Sequence, residues 1–367
     1  MNMMINGSVF QSFWPARGLR QGDPLSPYLF ILCMEILSRL INSKVDNLLI
    51  QGFNSARGLP SLQHLFFADD IFLFGKATTF EATQFRSCLD TFCSWSGQSF
   101  NSHKSNILFS HNTKRDLEEQ ITGILQFERI PILSHYLGLP LFHGKRIHDF
   151  AFLMDKLDKK LAGWKAKLLS KASRLVLIKS VAQAIPNYVM QSTTIPKSVS
   201  EKMDSRMRSF WWGARDTSAR PLCLRSWDKI CTPNSVGGLK LRRSYDMNSA
   251  LLAKWSWDLI SGKSSLCLSI LCGKYLRDKT FISVSAFPSD SLFWKVVLAV
   301  KGLVLWGACI QVGIGSMVDF WLHPWVPKHP LFRPRPICER GPGYLVVSDL
   351  LNPDGNWNLL KLHAAFS

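Results

Sequence analysis

The 367 residues carry 44 Lys and Arg against 26 Asp and Glu, a formal charge of +18, with 47% hydrophobic and only 19% charged residues. That balance excludes an intrinsically disordered chain, and 13 Trp with 24 Phe supply apolar area for more than one core. Nine Cys without a Cys-x-x-Cys spacing or a nearby His-rich tract exclude a small disulfide scaffold and point away from zinc ligation.

The charge is unevenly placed. Residues 144–243 hold 21 Lys and Arg against 7 acids, net +14, whereas 1–143 hold 11 of each and are neutral. A basic segment behind a neutral one suits contact with a polyanion; a solvated helix surface is the plainer alternative. Met1–Phe10 has neither the charged n-region nor the apolar core of a secretory signal peptide, so an intracellular protein, nuclear or cytoplasmic, with reduced thiols is expected. Gly302–Val318 is the longest uncharged apolar stretch. It falls short of the ~20 residues that span a bilayer, which predicts a buried helix and strand and no membrane contact.

In chain order, Ser26 reads as an N-cap with Pro27 at the first helical position, and apolar residues from Leu29 to Leu40 repeat at helical spacing. A buried helix is predicted over Pro27–Ile41. His64–Phe67 and Ile71–Phe74 are apolar runs separated by Ala68-Asp69-Asp70, the pattern of a hairpin with a short acidic turn. Glu81–Trp95 is predicted helical and Ile107–Ser110 a short strand, which makes the opening part α+β with antiparallel pairing. From Phe150 the spacing Phe150, Leu153, Leu157, Leu161, Trp164, Leu168 marks one apolar helix face. Lys156, Lys159, Lys160, Lys165 and Lys167 fall largely on the others. A second helix from Ser173 breaks at Pro186, a third covers Val199–Trp212 before Gly213, and another covers Met247–Ile260. Gly-, Pro- and Trp-rich stretches follow.

The chemistry centres on Asp69 and Asp70, two carboxylates at the tip of an apolar hairpin. Burying them there is costly unless something compensates, and a divalent cation such as Mg²⁺ is a natural partner. An ordinary exposed Asp-Asp turn is the alternative. Upstream stands Arg17-Gly-Leu-Arg-Gln-Gly-Asp-Pro-Leu-Ser-Pro27. In it Gly18 and Gly22 permit close backbone approach, and Arg17 and Arg20 can bind phosphate at the start of an apolar helix.

This pair of motifs resembles the reverse transcriptases of plant LINE-type (non-LTR) retrotransposons. The likeness continues through Asn101-Ser-His-Lys-Ser105, Tyr136-Leu-Gly-Leu-Pro-Leu141 and the Trp-rich C-terminal stretch. The resemblance implies a polymerase palm-like antiparallel sheet with helices over 1–143, a basic helical thumb-like region over 144–230 and a mixed Trp-rich region over 231–367. It implies that Asp69 and Asp70 are the catalytic, metal-binding pair, using Mg²⁺ or Mn²⁺. Arg17, Arg20, Gln21, Gly22 and Lys104 would contact template and nucleotide. Tyr136, Leu137 and Gly138 would form the primer grip, with the five lysines after Phe150 on the nucleic-acid backbone. The implied partners are an RNA template, a DNA primer and deoxynucleoside triphosphates.

Two departures weigh against activity. The family's first catalytic Asp motif lies upstream of the strand that begins near Ile5, and the family's Trp-x-Asp-Pro-Trp reads Trp321-Leu-His-Pro-Trp325 here. The expectation is a polymerase fragment that does not extend primers alone. A nucleic-acid-binding remnant without chemistry is the alternative, and an interaction protein using the Trp-rich region is a third.

Overall fold

The computed structural model describes residues 4–9, 18–54, 59, 61–132, 135–137, 139–140, 147–161, 169–213, 222–277, 279–313, 318–321, 323–327, 329, 332–334 and 346–365. The chain divides into two compact units: Met1–Leu141 with Cys272–Tyr275, and Phe142–Leu271 with Leu276–Ser367.

In the first unit β1 (Met4–Ile5) pairs antiparallel with β2 (Ser8–Val9). Helix α1 (Ser26–Asp46) follows. Ser26 is not its N-cap. The Ser26 hydroxyl donates to the Arg20 carbonyl at 2.7 Å, so Leu25 takes the cap position without a side-chain bond and Ser26 becomes helical. The helix predicted to be buried is only half so. Met34, Leu37 and Ile41 lie in the core, whereas Tyr28, Leu29, Ile31, Leu32 and Ile36 are exposed.

Strands β3 (His64–Phe67) and β4 (Asp70–Leu73) pair antiparallel from His64↔Leu73 to Phe67↔Asp70. The next helix, α2 (Thr79–Ser96), is capped by Thr78, whose hydroxyl accepts the Glu81 N–H, and closed by Gly97 at φ 67°. The predicted strand at Ile107 is short: β5 (Asn106–Ile107) pairs with β6 (Glu128–Arg129) across α3 (Arg115–Leu125). That pairing is parallel, because the intervening helix forces a crossover in place of a hairpin. Strands β7 (His135–Tyr136) and β8 (Leu139–Pro140) form a last antiparallel pair. The described strands therefore form separate two-stranded sheets among helices. The core lies between α1 and α2, where Leu37, Ile41, Phe85 and Phe92 are buried and Phe66, Ile71 and Leu73 pack against them.

The second unit is helical. A 3₁₀ turn over Ile147–Phe150 leads into α4 (Ala151–Leu161), and Phe150, Leu153, Leu157 and Leu161 are all buried, as their spacing predicts. After α5 (Lys171–Leu177) the chain passes through a π-helical turn, and Pro186 precedes α6 (Asn187–Met190). Helix α7 (Lys197–Trp212) ends at Gly213 with φ 81°. Then come α8 (Trp227–Cys231), α9 (Ser244–Ile260), α10 (Leu266–Leu271), α11 (Leu292–Ala299), α12 (Lys301–Gly307) and α13 (Leu359–Ala365). The helix expected to be buried near Gly302 is exposed, with Trp306 at 68% and Leu303 at 48%. No described helix is long and apolar enough to cross a membrane.

Buried polar groups tie this unit together. On α9, Asn248 donates to the Met190 and Thr193 carbonyls at 2.9 Å each and accepts the Ile195 N–H at 2.8 Å. One amide thus satisfies the backbone groups freed where α6 ends. Nearby, Asp204 of α7 caps α9 from outside, accepting the Ser244 N–H at 3.1 Å and its hydroxyl at 2.6 Å. Burial pushes the Asp204 carboxyl above its usual value, with the Ser244 bonds opposing the shift. Towards the C-terminus Phe320, Trp325, Val347 and Leu350 form a small core of their own. There His323 Nδ1 accepts the Asp319 N–H at 3.0 Å, so the neutral imidazole supplies a turn acceptor.

Asn248→Ala strands three backbone groups and is expected to cost about 3 kcal/mol or more in urea unfolding, since each orphaned buried group costs about 1–3 kcal/mol. For Asp204 the folded state binds the proton more tightly than the unfolded one. Its contribution to stability therefore falls as pH rises from the ordinary value of 3.8 towards the raised one. Asp204→Asn should remove that downward slope from the urea midpoint measured against pH.

Candidate functional site

The β3–β4 hairpin closes through Ala68 and Asp69, directly after the Phe67↔Asp70 pair. Ala68 stands at φ 50°, and no positive φ occurs at Asp69, the sign pattern of a II′ turn, which matches strand twist. Alternation along the strands then divides the residues. His64, Phe66, Ile71 and Leu73 share the face whose apolar members pack on the α1–α2 core, and Leu65, Phe67, Asp70 and Phe72 share the other. On that second face Tyr136 of β7 meets Phe72 edge-on, with ring centroids 4.6 Å apart, and Phe74 lies 6.0 Å from Phe72. The structure thus brings Asp70 and Tyr136 to one side of the hairpin.

Both Asp69 and Asp70 are exposed. The apolar setting expected for the carboxylates is not found: Phe66, Ile71 and Leu73 turn towards the helices, whereas Phe67 beside the tip is exposed together with both acids. The pair still fits a hard divalent ion, because Mg²⁺ takes one or two carboxylates and fills its remaining positions with water and phosphate oxygens. Among the described residues no group of three or more His, Cys, Asp or Glu converges on a common point. The donor set at the tip is these two residues.

Several contacts hold the hairpin down. Glu81, 4% exposed, accepts the Lys76 N–H at 2.9 Å and the Gln51 N–H at 3.3 Å, so one buried carboxylate staples the segments after β4 and after α1 to α2. At Gly75 an added Cβ would lie 2.6 Å from the Phe85 ring, and only glycine fits that crossing. In β3, His64 Nε2 lies 2.9 Å from the Ser38 hydroxyl of α1, and burial lowers its pKa, which keeps the ring neutral near pH 7.

The loop before α1 is internally bonded. Asp23 Oδ1 accepts the Leu25 N–H at 2.9 Å, and the Asp23 N–H donates to the Arg20 carbonyl at 3.3 Å. Gly18 and Gly22 adopt φ 87° and 83°, and nothing lies within 4 Å of a Cβ added at either. Their glycines are required by backbone sign, not by packing within the chain. Arg20, Gln21 and Gly22 are exposed, and Arg17 lies outside the described residues.

A family model described as reverse transcriptase (RNA-dependent DNA polymerase) matches residues 2–141, a span that contains the loop, the acidic hairpin and the Tyr136 turn. The match spans 140 of the 367 residues. The chain is similar to an Arabidopsis thaliana protein named as a ribonuclease H protein, 30% identical over 230 residues, covering 59% of this chain and 36% of that one. It is also similar to an uncharacterized mitochondrial protein of Arabidopsis thaliana, 49% identical over 67 residues, covering 18% of this chain and 55% of that one. A Pol polyprotein from a type-2 retrotransposable element of Drosophila melanogaster is 39% identical over 74 residues, 20% of this chain and 6% of the polyprotein. These matches bear out the resemblance to non-LTR retrotransposon reverse transcriptases, and the chain spans well under two thirds of each of these relatives.

Within the matched segment Lys104 is exposed, its N–H bonded to the Asn101 carbonyl at 3.1 Å and side chain at 3.3 Å in an Asx-type turn. Tyr136 and Leu137 are half-buried, Leu137 stands at φ 50°, and Gly138 lies outside the described residues. Beyond the segment Lys156, Lys159 and Lys160 are exposed on α4, while Lys165 and Lys167 lie outside the described residues. Two residues that shape the β3–β4 hairpin went unread in the sequence. Glu81 is signalled by the Thr78-x-x-Glu81 capping pattern, and Phe72 by its i+2 relation to Asp70.

Ala68 tests the hairpin. Ala68→Val places a β-branched side chain at positive φ and should cost about 1–2 kcal/mol in thermal unfolding, while Ala68→Gly leaves stability equal or higher.

Proposed function

We propose that the chain is the palm and thumb part of a reverse transcriptase that extends a DNA primer on an RNA template with deoxynucleoside triphosphates. The observation that carries this reading is the shared face of Asp70 and Tyr136 in a segment matched by the reverse transcriptase family. Asp69 and Asp70 hold Mg²⁺, or Mn²⁺ in its place. Held by these two carboxylates, the ion would supply charge stabilisation at the reacting phosphates. The exposed backbone of Gln21 and Gly22 faces the template base and the incoming nucleotide, and Arg17, Arg20 and Lys104 offer cations to its phosphates. Tyr136, Leu137 and Gly138 hold the primer end. The lysines at 156, 159, 160, 165 and 167 follow the nucleic-acid backbone as a thumb would, and the work is placed, as the sequence reading expects, in the nucleus or cytoplasm.

A two-metal reaction asks for a further carboxylate beyond this pair. We therefore expect little extension by the chain alone, and Mg²⁺-dependent extension once a polypeptide carrying that carboxylate is added. The second reading, a binding remnant without chemistry, is favoured by the net +14 of residues 144–243, 21 basic against 7 acidic.

Primer extension on a primed RNA template separates the two. With the complementing polypeptide present, Asp69→Asn should lower incorporation about 100-fold or more while leaving salt-dependent hybrid binding intact. Incorporation unchanged by Asp69→Asn would overturn the polymerase reading. Salt-sensitive binding with no incorporation under any complementation would establish the remnant.

A further inference from the structure

Asp70 and Phe72 stand two residues apart on β4, so they share the face turned away from the α1–α2 core. Phe72 is half-buried, and Tyr136 packs against it edge-on at 4.6 Å with an interplanar angle of 88°. Phe74 stacks beyond it at 16° and 6.0 Å. Tyr136 itself sits at the end of a two-stranded hairpin whose turn passes through Leu137 at φ 50°, a backbone sign unusual for a leucine. The β3–β4 and β7–β8 pairs share no ladder hydrogen bonds, since each is a sheet of its own. Among the described residues, the Phe72–Tyr136 edge contact joins the two hairpins through side chains.

We propose that Phe72 is a positioning residue that sets the distance between the acidic tip and the Tyr136 turn. Ion binding at Asp69 and Asp70 and capture of the primer end are thereby energetically linked. The inference rests on the polymerase reading above and adds to it a residue that touches neither nucleotide nor ion. An edge-to-face aromatic pair suits the task, because its energy depends on ring orientation as well as on buried area. An aliphatic side chain of similar volume fills the space without holding the Tyr136 ring at one angle.

The test is thermodynamic linkage in the full chain: affinity for a labelled DNA primer annealed to RNA, measured with and without Mg²⁺. Wild type is expected to bind about five-fold or more tightly with Mg²⁺, the lower end of ordinary coupling between two sites. Phe72→Leu should bring that ratio to near one while leaving Mg²⁺-free binding within about two-fold, because Mg²⁺-free affinity comes mainly from phosphate contacts elsewhere. Phe72→Tyr should restore the ratio. Tyr136→Leu should abolish it, and the double variant should show no further loss. A purely structural Phe72 would lower the melting temperature without touching the Mg²⁺ ratio, and that result overturns the inference. If wild type shows no Mg²⁺ ratio, or keeps it in Asp69→Asn with Asp70→Asn, the polymerase reading fails and takes this inference with it. A ratio that depends on the aspartates but not on Phe72 sinks the positioning role alone.

Discussion

The packing of one face of the β3–β4 hairpin onto α1 and α2 is the constraint on which the first unit depends. Phe66, Ile71 and Leu73 contribute apolar area to a core centred on Leu37, Ile41, Phe85 and Phe92. At about 25 cal/mol per Å² of apolar surface removed from water, three partly buried side chains suffice to choose which face points inwards. Because strand side chains alternate, the choice is binary. A slip of one residue would exchange Ile71 for Asp70 in the core, and the cost of burying a carboxylate there forbids it. Asp70 is thus displayed because Phe66 and Ile71 take the inward face. Glu81 secures the arrangement from behind by holding the backbone on both sides of the hairpin to α2.

Much of this was legible in the sequence, for physical reasons that differ from element to element. The hairpin was readable because two apolar runs flank a short polar turn, and α4 because Phe150, Leu153, Leu157 and Leu161 repeat on one helical face and are all buried. Helix α7 was readable to its last residue because Gly213 closes it with positive φ, while its start lies two residues before the expected Val199. The half-exposure of α1 was not readable. Leu29, Leu32 and Ile36 obey the same periodicity as Leu37 and Ile41, and periodicity records that a face is apolar without recording what covers it. Helix α3 went unread although Leu117, Ile121 and Ile124 are suitably spaced. Its other buried position is Glu118, which Arg129 holds at 3.0 Å, so burial and hydropathy disagree there. The parallel β5–β6 pair follows from α3 and could not be foreseen without it.

The second unit shows how polar residues can specify a helical packing that apolar spacing leaves open. Leucines and methionines on α4 and α7 supply area without direction. Asn248 supplies direction, since its amide meets three backbone groups only when α9 lies at one height against the end of α6. Asp204 adds a second such pin at the start of α9. Some of the positive charge is engaged in the same way. Lys171 lies over the Trp212 ring at 5.6 Å and Arg174 over Phe210 at 6.0 Å. These cations serve packing as well as surface potential, so a count of basic residues overstates what is left to meet a polyanion.

The exposure of Asp69 and Asp70 bears on what kind of metal chemistry the hairpin can support. A buried pair would owe its ion affinity to desolvation, and its acids would resist ionising whenever the ion was absent. An exposed pair leaves room for a hydrated ion whose remaining positions substrate phosphates would fill. Mg²⁺ dehydrates reluctantly and prefers that mixed shell. On this argument the hairpin contributes geometry more than field strength. The turn at Ala68, the core behind Ile71 and the aromatic contact at Phe72 fix where the two carboxylates sit; in the function proposed above, a nucleotide would supply the remaining ligands.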